Sequence, residues 1–81
     1  MYVQFNLPNG AGGMAAGHAL SIIRREIEQW STQYNIPFRT KLVKYTFRLC
    51  LERQQDYVMF QLSWNPKNVW AKNYQLVETE S

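Results

Sequence analysis

The sequence has very few of the residues that build crosslinked or metal-centred proteins. Its 81 residues include one cysteine, Cys50, and one histidine, His18. A single cysteine excludes an internal disulfide framework, and one Cys with one His excludes a Cys/His zinc cage within one chain. No Ser–His–Asp or Cys–His catalytic set can be argued from them. We therefore expect a non-enzymatic protein of the reduced cytoplasm, without a cofactor.

Long apolar runs are also missing. No stretch approaches the roughly 18 residues that suggest a transmembrane helix, and residues 1–5 show neither the basic nor the apolar part of a secretory signal. The 46% of hydrophobic residues nevertheless excludes wholesale disorder. We expect one domain over residues 1–81, a frayed acidic tail over 78–81, and no membrane partner.

Acidic residues are the minority among the charges. Nine Lys and Arg against six Asp and Glu give a net charge of +3. The excess is concentrated in residues 39–53, which hold five basic residues and one acidic residue. This modest basic stripe fits an anionic partner, although net charge indicates association behaviour and not fold.

Two hydrophobic periods divide the first half of the chain. Residues 1–7 alternate, with Val3, Phe5 and Leu7 on one side, and this predicts a half-buried strand. Residues 14–34 repeat apolar side chains every three or four positions, which predicts an amphipathic helix. Its expected core stripe is Ala16, Leu20, Ile23, Ile27, Trp30 and Tyr34.

Alternation continues in the second half. Residues 39–52 read as one long strand, residues 53–56 as a polar loop, and residues 57–64 as a further strand that completes an antiparallel hairpin. The residues expected inward are Val43, Tyr45, Phe47, Leu49, Leu51, Val58, Phe60, Leu62 and Trp64. The residues expected outward are Lys44, Thr46, Arg48, Cys50, Glu52, Tyr57, Met59, Gln61 and Ser63.

The remaining residues are short and less regular. Residues 65–68 indicate a turn, residues 69–71 a short helical turn, and residues 74–77 a final edge strand. The order is β-α-β-β with a possible last β. We therefore predict an α+β fold in which a single helix packs on one face of a three- or four-stranded antiparallel sheet.

The uncovered sheet face is the candidate functional surface. It is expected to mix tyrosine and methionine with cations, as contact surfaces do. The predicted partner-binding residues are Tyr2, Lys44, Arg48, Tyr57, Met59 and Gln61. Our leading hypothesis is a protein-binding module, a regulator or inhibitor of the small kind that phages encode. It would use this face or a free sheet edge to bind a protein partner or a second copy of itself.

The alternative hypothesis is binding of single-stranded RNA or DNA. Tyr2 and Tyr57 would stack on bases, while Lys44, Arg48 and Lys41 would meet phosphates. In this respect the sheet resembles the RNA-recognition motif, whose short strand motif is loosely similar to residues 1–7 with one residue fewer. The resemblance implies stacking on outward aromatics of two strands.

Two departures from that family stand in the sequence. Residues 56–60 lack the glycine and the second outward aromatic of the family's longer motif. The family's second full helix also has no room, because only residues 65–73 separate the last two predicted strands. We therefore use the RNA-recognition motif as an analogy for the surface and not as an assignment.

A glycine-rich segment precedes the predicted helix. Gly10-x-Gly12-x-x-Ala15 follows a strand and opens a helix, as in dinucleotide-binding proteins. That fingerprint requires a parallel β-α-β unit, whereas this helix leads into an antiparallel hairpin. We interpret the segment as a structural loop and leave open whether it binds an anion.

Overall fold

Residues 1–8 and 14–78 are described in the computed structural model of the chain. Within these ranges the elements, in chain order, are β1 (Tyr2–Asn6), α1 (Met14–Tyr34), β2 (Phe38–Val43), β3 (Thr46–Leu51), α2 (Gln54–Ser63), α3 (Val69–Lys72) and β4 (Tyr74–Val77). The glycine-rich segment up to residue 13 and the predicted acidic tail, apart from Glu78, lie outside the described residues.

The strands form one antiparallel sheet with the spatial order β2-β3-β1-β4. β1 lies between β3 and β4, and β2 and β4 form the two edges. The element order with this strand order is the split β-α-β arrangement. The predicted α+β class, the antiparallel sheet and the final edge strand are confirmed, and so is the short helical turn before it.

Helix α1 covers one face of the sheet. Its residues Ile23, Ile27 and Trp30 are buried as predicted, and Ala19 is buried beside them, whereas Tyr34 is 38% exposed. They join the strand residues of the core, among them Val3, Phe5, Phe47 and Leu49. The helix has the predicted bounds. It ends at Tyr34 because Asn35 takes a left-handed φ of 54° and Pro37 disfavours helix before it.

The prediction of one strand over residues 39–52 is wrong. The structure divides the segment into β2 and β3, joined by a turn at Lys44 and Tyr45. Lys44 has φ 54°, and the Thr46 hydroxyl donates a 2.7 Å hydrogen bond to the carbonyl oxygen of Val43. The turn contains no Gly, Asn or Asp, which are the residues that usually mark a two-residue hairpin loop. The hairpin therefore falls inside 38–51 and not between residues 52 and 57.

The prediction of a strand over residues 57–64 is also wrong, because residues 54–63 form helix α2. Val58 and Leu62, which strand alternation places inward, are 49% and 80% exposed. Tyr57 and Phe60 are buried instead, at the three-residue spacing of a helix. Arg53 precedes the helix, and the Asp56 carboxylate accepts a 3.3 Å hydrogen bond from the Arg53 backbone N–H.

Aromatic packing fixes α2 on the same sheet face as α1. The ring of Phe60 stacks on Trp64 at 4.7 Å between centroids and meets Trp30 edge-on at 5.1 Å. The same ring contacts Tyr74 at 5.2 Å and Phe5 at 6.4 Å, both on the sheet. Such pairs add roughly 0.5–1.5 kcal/mol each beyond their buried area. Both long helices therefore share one layer, and no described element covers the other face of the sheet.

Candidate binding face of the sheet

Strand register defines the uncovered face. Residues paired across neighbouring strands lie on the same side of a sheet, and Val3, Phe5, Phe47 and Leu49 point into the core. We call the opposite side of the sheet the open face, and none of its strand residues is buried. Its residues are Tyr2, Gln4, Asn6, Arg39, Lys41, Val43, Thr46, Arg48, Cys50, Gln75 and Val77.

One row of polar side chains crosses all four strands of the open face. Lys41 pairs with Arg48, Arg48 pairs with Gln4, and Gln4 pairs with Gln75. Neighbouring strands lie about 4.8 Å apart, so the row is about 14 Å long. It offers two cations at one end and two amide groups, each both donor and acceptor, at the other.

Arg48 is held against an aromatic ring at the centre of this face. Its guanidinium carbon lies 4.6 Å from the ring centroid of Tyr2 on the adjacent strand β1. Its Nε is buried and has no hydrogen-bond partner. The ring therefore positions the guanidinium without neutralising it, through a contact worth about 0.5–2 kcal/mol. Because both residues remain partly exposed, the pair is available to a ligand.

The charge of the open face has one sign. Arg39, Lys41 and Arg48 all lie on it, and the strand residues of this face include no carboxylate. Within the described residues the only ion pair joins Arg53 to Asp56 at the start of α2. The three cations of the open face therefore have no carboxylate neutralising them in the described structure.

The structure separates the six residues predicted to bind a partner. Tyr2 and Arg48 lie together on the open face, as predicted. Lys44 is exposed in the turn at the end of the β2–β3 hairpin. The remaining three residues, Tyr57, Met59 and Gln61, belong to α2 in the helix layer.

Tyr57 is the clearest correction among these residues. It is 5% exposed, and its hydroxyl donates a 2.6 Å hydrogen bond to the Met1 carbonyl oxygen. The same hydroxyl accepts a 2.8 Å hydrogen bond from the backbone N–H of Leu51. Burial raises the pKa of this phenol above its usual value. Tyr57 is thus a core residue that ties α2 to β3 and to the residue before β1, and it cannot stack on a base.

Four residues of the open face were not predicted to lie there: Arg39, Val43, Gln75 and Val77. Val43 was expected to point into the core, but it pairs with Thr46 on the open face. Arg39 lies opposite Cys50, and Gln75 lies opposite Gln4. Alternation within residues 39–43 would have identified Arg39 if the turn had been placed at residues 44–45. Gln75 needed the strand order, which alternation does not provide, because β4 joins the sheet beside β1 and not beside its neighbour in sequence.

Several other candidates acquire no further role. The exposed His18 meets Trp70 edge-on at 5.9 Å between ring centroids, and Cys50 is a free, half-buried thiol on the open face. In the described part of the chain no group of three or more His, Cys, Asp or Glu residues could hold a metal ion. Both glycines of the dinucleotide-like motif lie outside the described residues.

Comparisons with known proteins do not indicate a function. This sequence matches no protein-family model, and no curated protein or solved structure matches it significantly. Among the described helices, none combines the length and apolar character needed to cross a membrane. That the chain is not an enzyme remains a prediction.

Proposed function

We propose that the open face binds single-stranded nucleic acid. The observation that carries the proposal is the grouping of Arg39, Lys41 and Arg48 on one sheet face without a carboxylate, with Arg48 stacked on Tyr2. Cations meet phosphates, and a base stacks on an aromatic ring or on the plane of an arginine guanidinium. Each stacked base contributes roughly 1–3 kcal/mol.

The fold favours this proposal over the protein-binding hypothesis. The version of that hypothesis that uses the sheet face depended on Tyr57 and Met59 as the apolar part of the surface, whereas binding through the free edges β2 and β4 stays an alternative. Tyr57 is buried, and Met59 lies with the exposed Val58 and Leu62 on α2, in the other layer. What remains on the open face is basic and rich in amides, which suits an anionic ligand better than an apolar protein surface.

The amide end of the polar row gives the face a second kind of contact. Gln4 and Gln75 lie opposite each other on β1 and β4, beyond Arg48. Their amide groups can donate to and accept from base edges while the cations hold the backbone. A row of about 14 Å accommodates a few nucleotides, so the proposed ligand is a short single-stranded segment crossing the strands of the sheet.

The arrangement also bears on the resemblance to the RNA-recognition motif. The second helix, which was not expected to fit between the last two predicted strands, is present as α2 over residues 54–63. The outward residues of β3, however, are Thr46, Arg48 and Cys50, so this strand offers no aromatic ring. The shared arrangement does not establish function. Our proposal accordingly depends on the charges and on the Tyr2–Arg48 pair.

Fluorescence anisotropy with labelled oligo-U and oligo-dT tests the proposal. Three phosphate contacts predict that the logarithm of affinity falls with the logarithm of salt with a slope of about −2. A fourfold rise in salt should then weaken binding by roughly 20-fold. Binding that is undetectable at low salt, or independent of salt, would contradict the proposal.

Charge-neutralising variants locate the site. Arg48→Gln and Lys41→Gln should each weaken binding and make the salt slope shallower by about 0.7, because each removes one phosphate contact. Lys67→Gln and Lys72→Gln are matched controls, since these exposed cations lie outside the sheet. If the control pair weakened binding as much as the Lys41 and Arg48 pair, attraction would be nonspecific and the open face would not be the site.

A further inference from the structure

A recess lies in the helix layer, away from the open face. It has a volume of about 120 Å³ and lies between the carboxyl-terminal half of α1 and the end of α2. An apolar cavity of about 150 Å³ accommodates benzene, so this recess has room for a small ligand head group. We call it the helix-end cleft. None of its lining residues is basic.

Aromatic rings line much of the helix-end cleft. They are Trp30 and Tyr34 from α1 and Trp64 after α2. The Trp30 and Trp64 rings are nearly perpendicular, at 80°, and their centroids are 6.5 Å apart, while Tyr34 is tilted 46° from Trp30 at 6.0 Å. The three rings thus differ in orientation, and Tyr34 and Trp64 are more accessible than Trp30, which is 5% exposed. The accessible face of an aromatic ring attracts cations.

The indole N–H groups of this cleft are already engaged. Trp30 Nε1 donates a 2.8 Å hydrogen bond to the Ser63 hydroxyl oxygen, and Trp64 Nε1 donates a 2.7 Å bond to the Ala71 carbonyl oxygen. Since an indole has no other polar hydrogen, what these residues offer a ligand is their π-system. That leaves the cleft without indole donors that would favour an anion.

Two further features make the helix-end cleft electronegative. Glu26, which is half-buried on α1, contributes a carboxyl group. The last turns of both α1 and α2 also border the cleft, and neither contains a basic residue. Because the carboxyl end of a helix carries partial negative charge, two helix dipoles present their negative ends here.

From this convergence we infer that the helix-end cleft binds a small organic ammonium ion. The aromatic walls, the Glu26 carboxylate and the two helix ends all attract positive charge, and the aromatic lining favours an alkylated ammonium over a hydrated metal ion. The inference is independent of nucleic-acid binding, because the cleft lies on the other layer of the fold.

Nuclear magnetic resonance of the intact chain tests this inference, with choline as the probe. The expected result is a saturable shift of the indole N–H signals of Trp30 and Trp64. Trp70 lies outside the cleft, so its indole signal should move less and serves as an internal reference. Sodium chloride at equal ionic strength provides the baseline. The uncharged choline analogue, in which carbon replaces nitrogen, should produce no saturable shift.

Two variants then separate charge and ring contributions. Glu26→Gln should raise the choline Kd about twofold to fivefold, whereas Glu28→Gln, which removes the same charge from an exposed site outside the cleft, should not. Tyr34→Leu should raise the Kd by a similar factor through loss of a cation–π contact. Because Glu26 and Glu28 are not buried, this pair keeps the test valid even if the Tyr34 variant folds poorly.

Three outcomes would overturn the inference. The first is the absence of saturable binding by choline. The second is equal binding of the uncharged analogue, which would show an apolar recess without selectivity for charge. The third is an equal response of the Glu26 and Glu28 variants, which would show nonspecific attraction to the acidic side of α1. None of these outcomes bears on the oligonucleotide measurements.

Discussion

Replacement of Tyr57 by phenylalanine tests the placement of α2 most directly. The hydroxyl of Tyr57 donates to the Met1 carbonyl oxygen at 2.6 Å and accepts from the Leu51 N–H at 2.8 Å. Phenylalanine keeps the buried ring and removes both hydrogen bonds, together with a longer 3.3 Å contact from the hydroxyl to the Leu51 carbonyl oxygen. The backbone N–H of Leu51 then loses its acceptor in the interior, where water does not replace it freely.

The expected loss follows from these two contacts. A buried donor left without a partner costs about 1–3 kcal/mol, so we expect the free energy of unfolding to fall by about 2 kcal/mol. Domains of this size are stable by only about 4–12 kcal/mol in total. For a domain of 60–100 residues, such a loss should lower Tm by roughly 8–16 °C.

Urea unfolding followed by tryptophan fluorescence measures the change. The midpoint should fall for Tyr57→Phe while the slope of free energy against urea stays constant, because the buried area is nearly unchanged. Tyr45→Phe is the matched control, since Tyr45 is 48% exposed, and we expect less than about 0.5 kcal/mol there. If both variants lowered the free energy of unfolding by the same small amount, Tyr57 would not be buried, and the prediction that it lies on the surface would hold.

Three further predictions concern the same region and the hairpin. Burial raises the pKa of Tyr57, so its contribution to stability is fully present below the ordinary tyrosine pKa and is lost as pH rises through the folded pKa. Urea midpoints across alkaline pH should therefore fall more for the parent than for Tyr57→Phe. Lys44→Gly should raise the free energy of unfolding by about 0.5–1 kcal/mol, because φ 54° is strained for lysine, and a lowered Tm would contradict this. Leu62→Asp should leave the circular dichroism spectrum folded while Phe60→Asp unfolds the chain, whereas a strand would bury both positions.

The first half of the fold could be predicted because one period fits each segment. Val3 and Phe5 alternate with polar residues, and Ile23, Ile27 and Trp30 recur at helical spacing. Neither segment also fits a second period, so the predicted bounds of β1 and α1 nearly match the observed ones. Tyr2 was placed on the correct face for the same reason.

The second half was ambiguous because its apolar residues satisfy two periods. Over residues 57–64, Val58, Phe60 and Leu62 alternate as in a strand, while Tyr57, Phe60 and Trp64 follow a helical spacing. Packing decided between them, since the Phe60 ring meets Trp64 and Trp30 in the helical arrangement. The start of α2 is a weak helix signal because arginine is not a usual N-cap, even though Asp56 accepts a hydrogen bond from the Arg53 backbone N–H.

The misplaced turn had a larger effect on the candidate site than on the fold class. With the turn at residues 44–45, β2 becomes an edge strand that brings Arg39 and Lys41 onto the open face. The helical α2 at the same time removes Tyr57 and Met59 from it. Two local errors of prediction therefore account for the difference between the predicted mixed surface and the observed basic one. Neither error affected the predicted α+β class.

The pairing of Lys41 with Arg48 connects stability to the proposed function. Like charges directly opposite each other on a sheet are destabilising, and here no carboxylate on the open face offsets them. Lys41→Glu would create an opposite-charge pair with Arg48, so we expect it to raise the free energy of unfolding by about 0.2–1 kcal/mol. The same change should weaken oligonucleotide binding by more than Lys41→Gln does, because a carboxylate repels phosphate.

Thermal unfolding and anisotropy on one preparation of Lys41→Glu measure both effects. Higher Tm with weaker binding is the expected result, and Lys67→Glu, outside the sheet, should show neither change. Lower Tm with unchanged oligonucleotide affinity would mean that Lys41 acts in folding and not in binding. Higher Tm with weaker binding would therefore mean that the like-charge pair lowers stability while it serves the proposed binding.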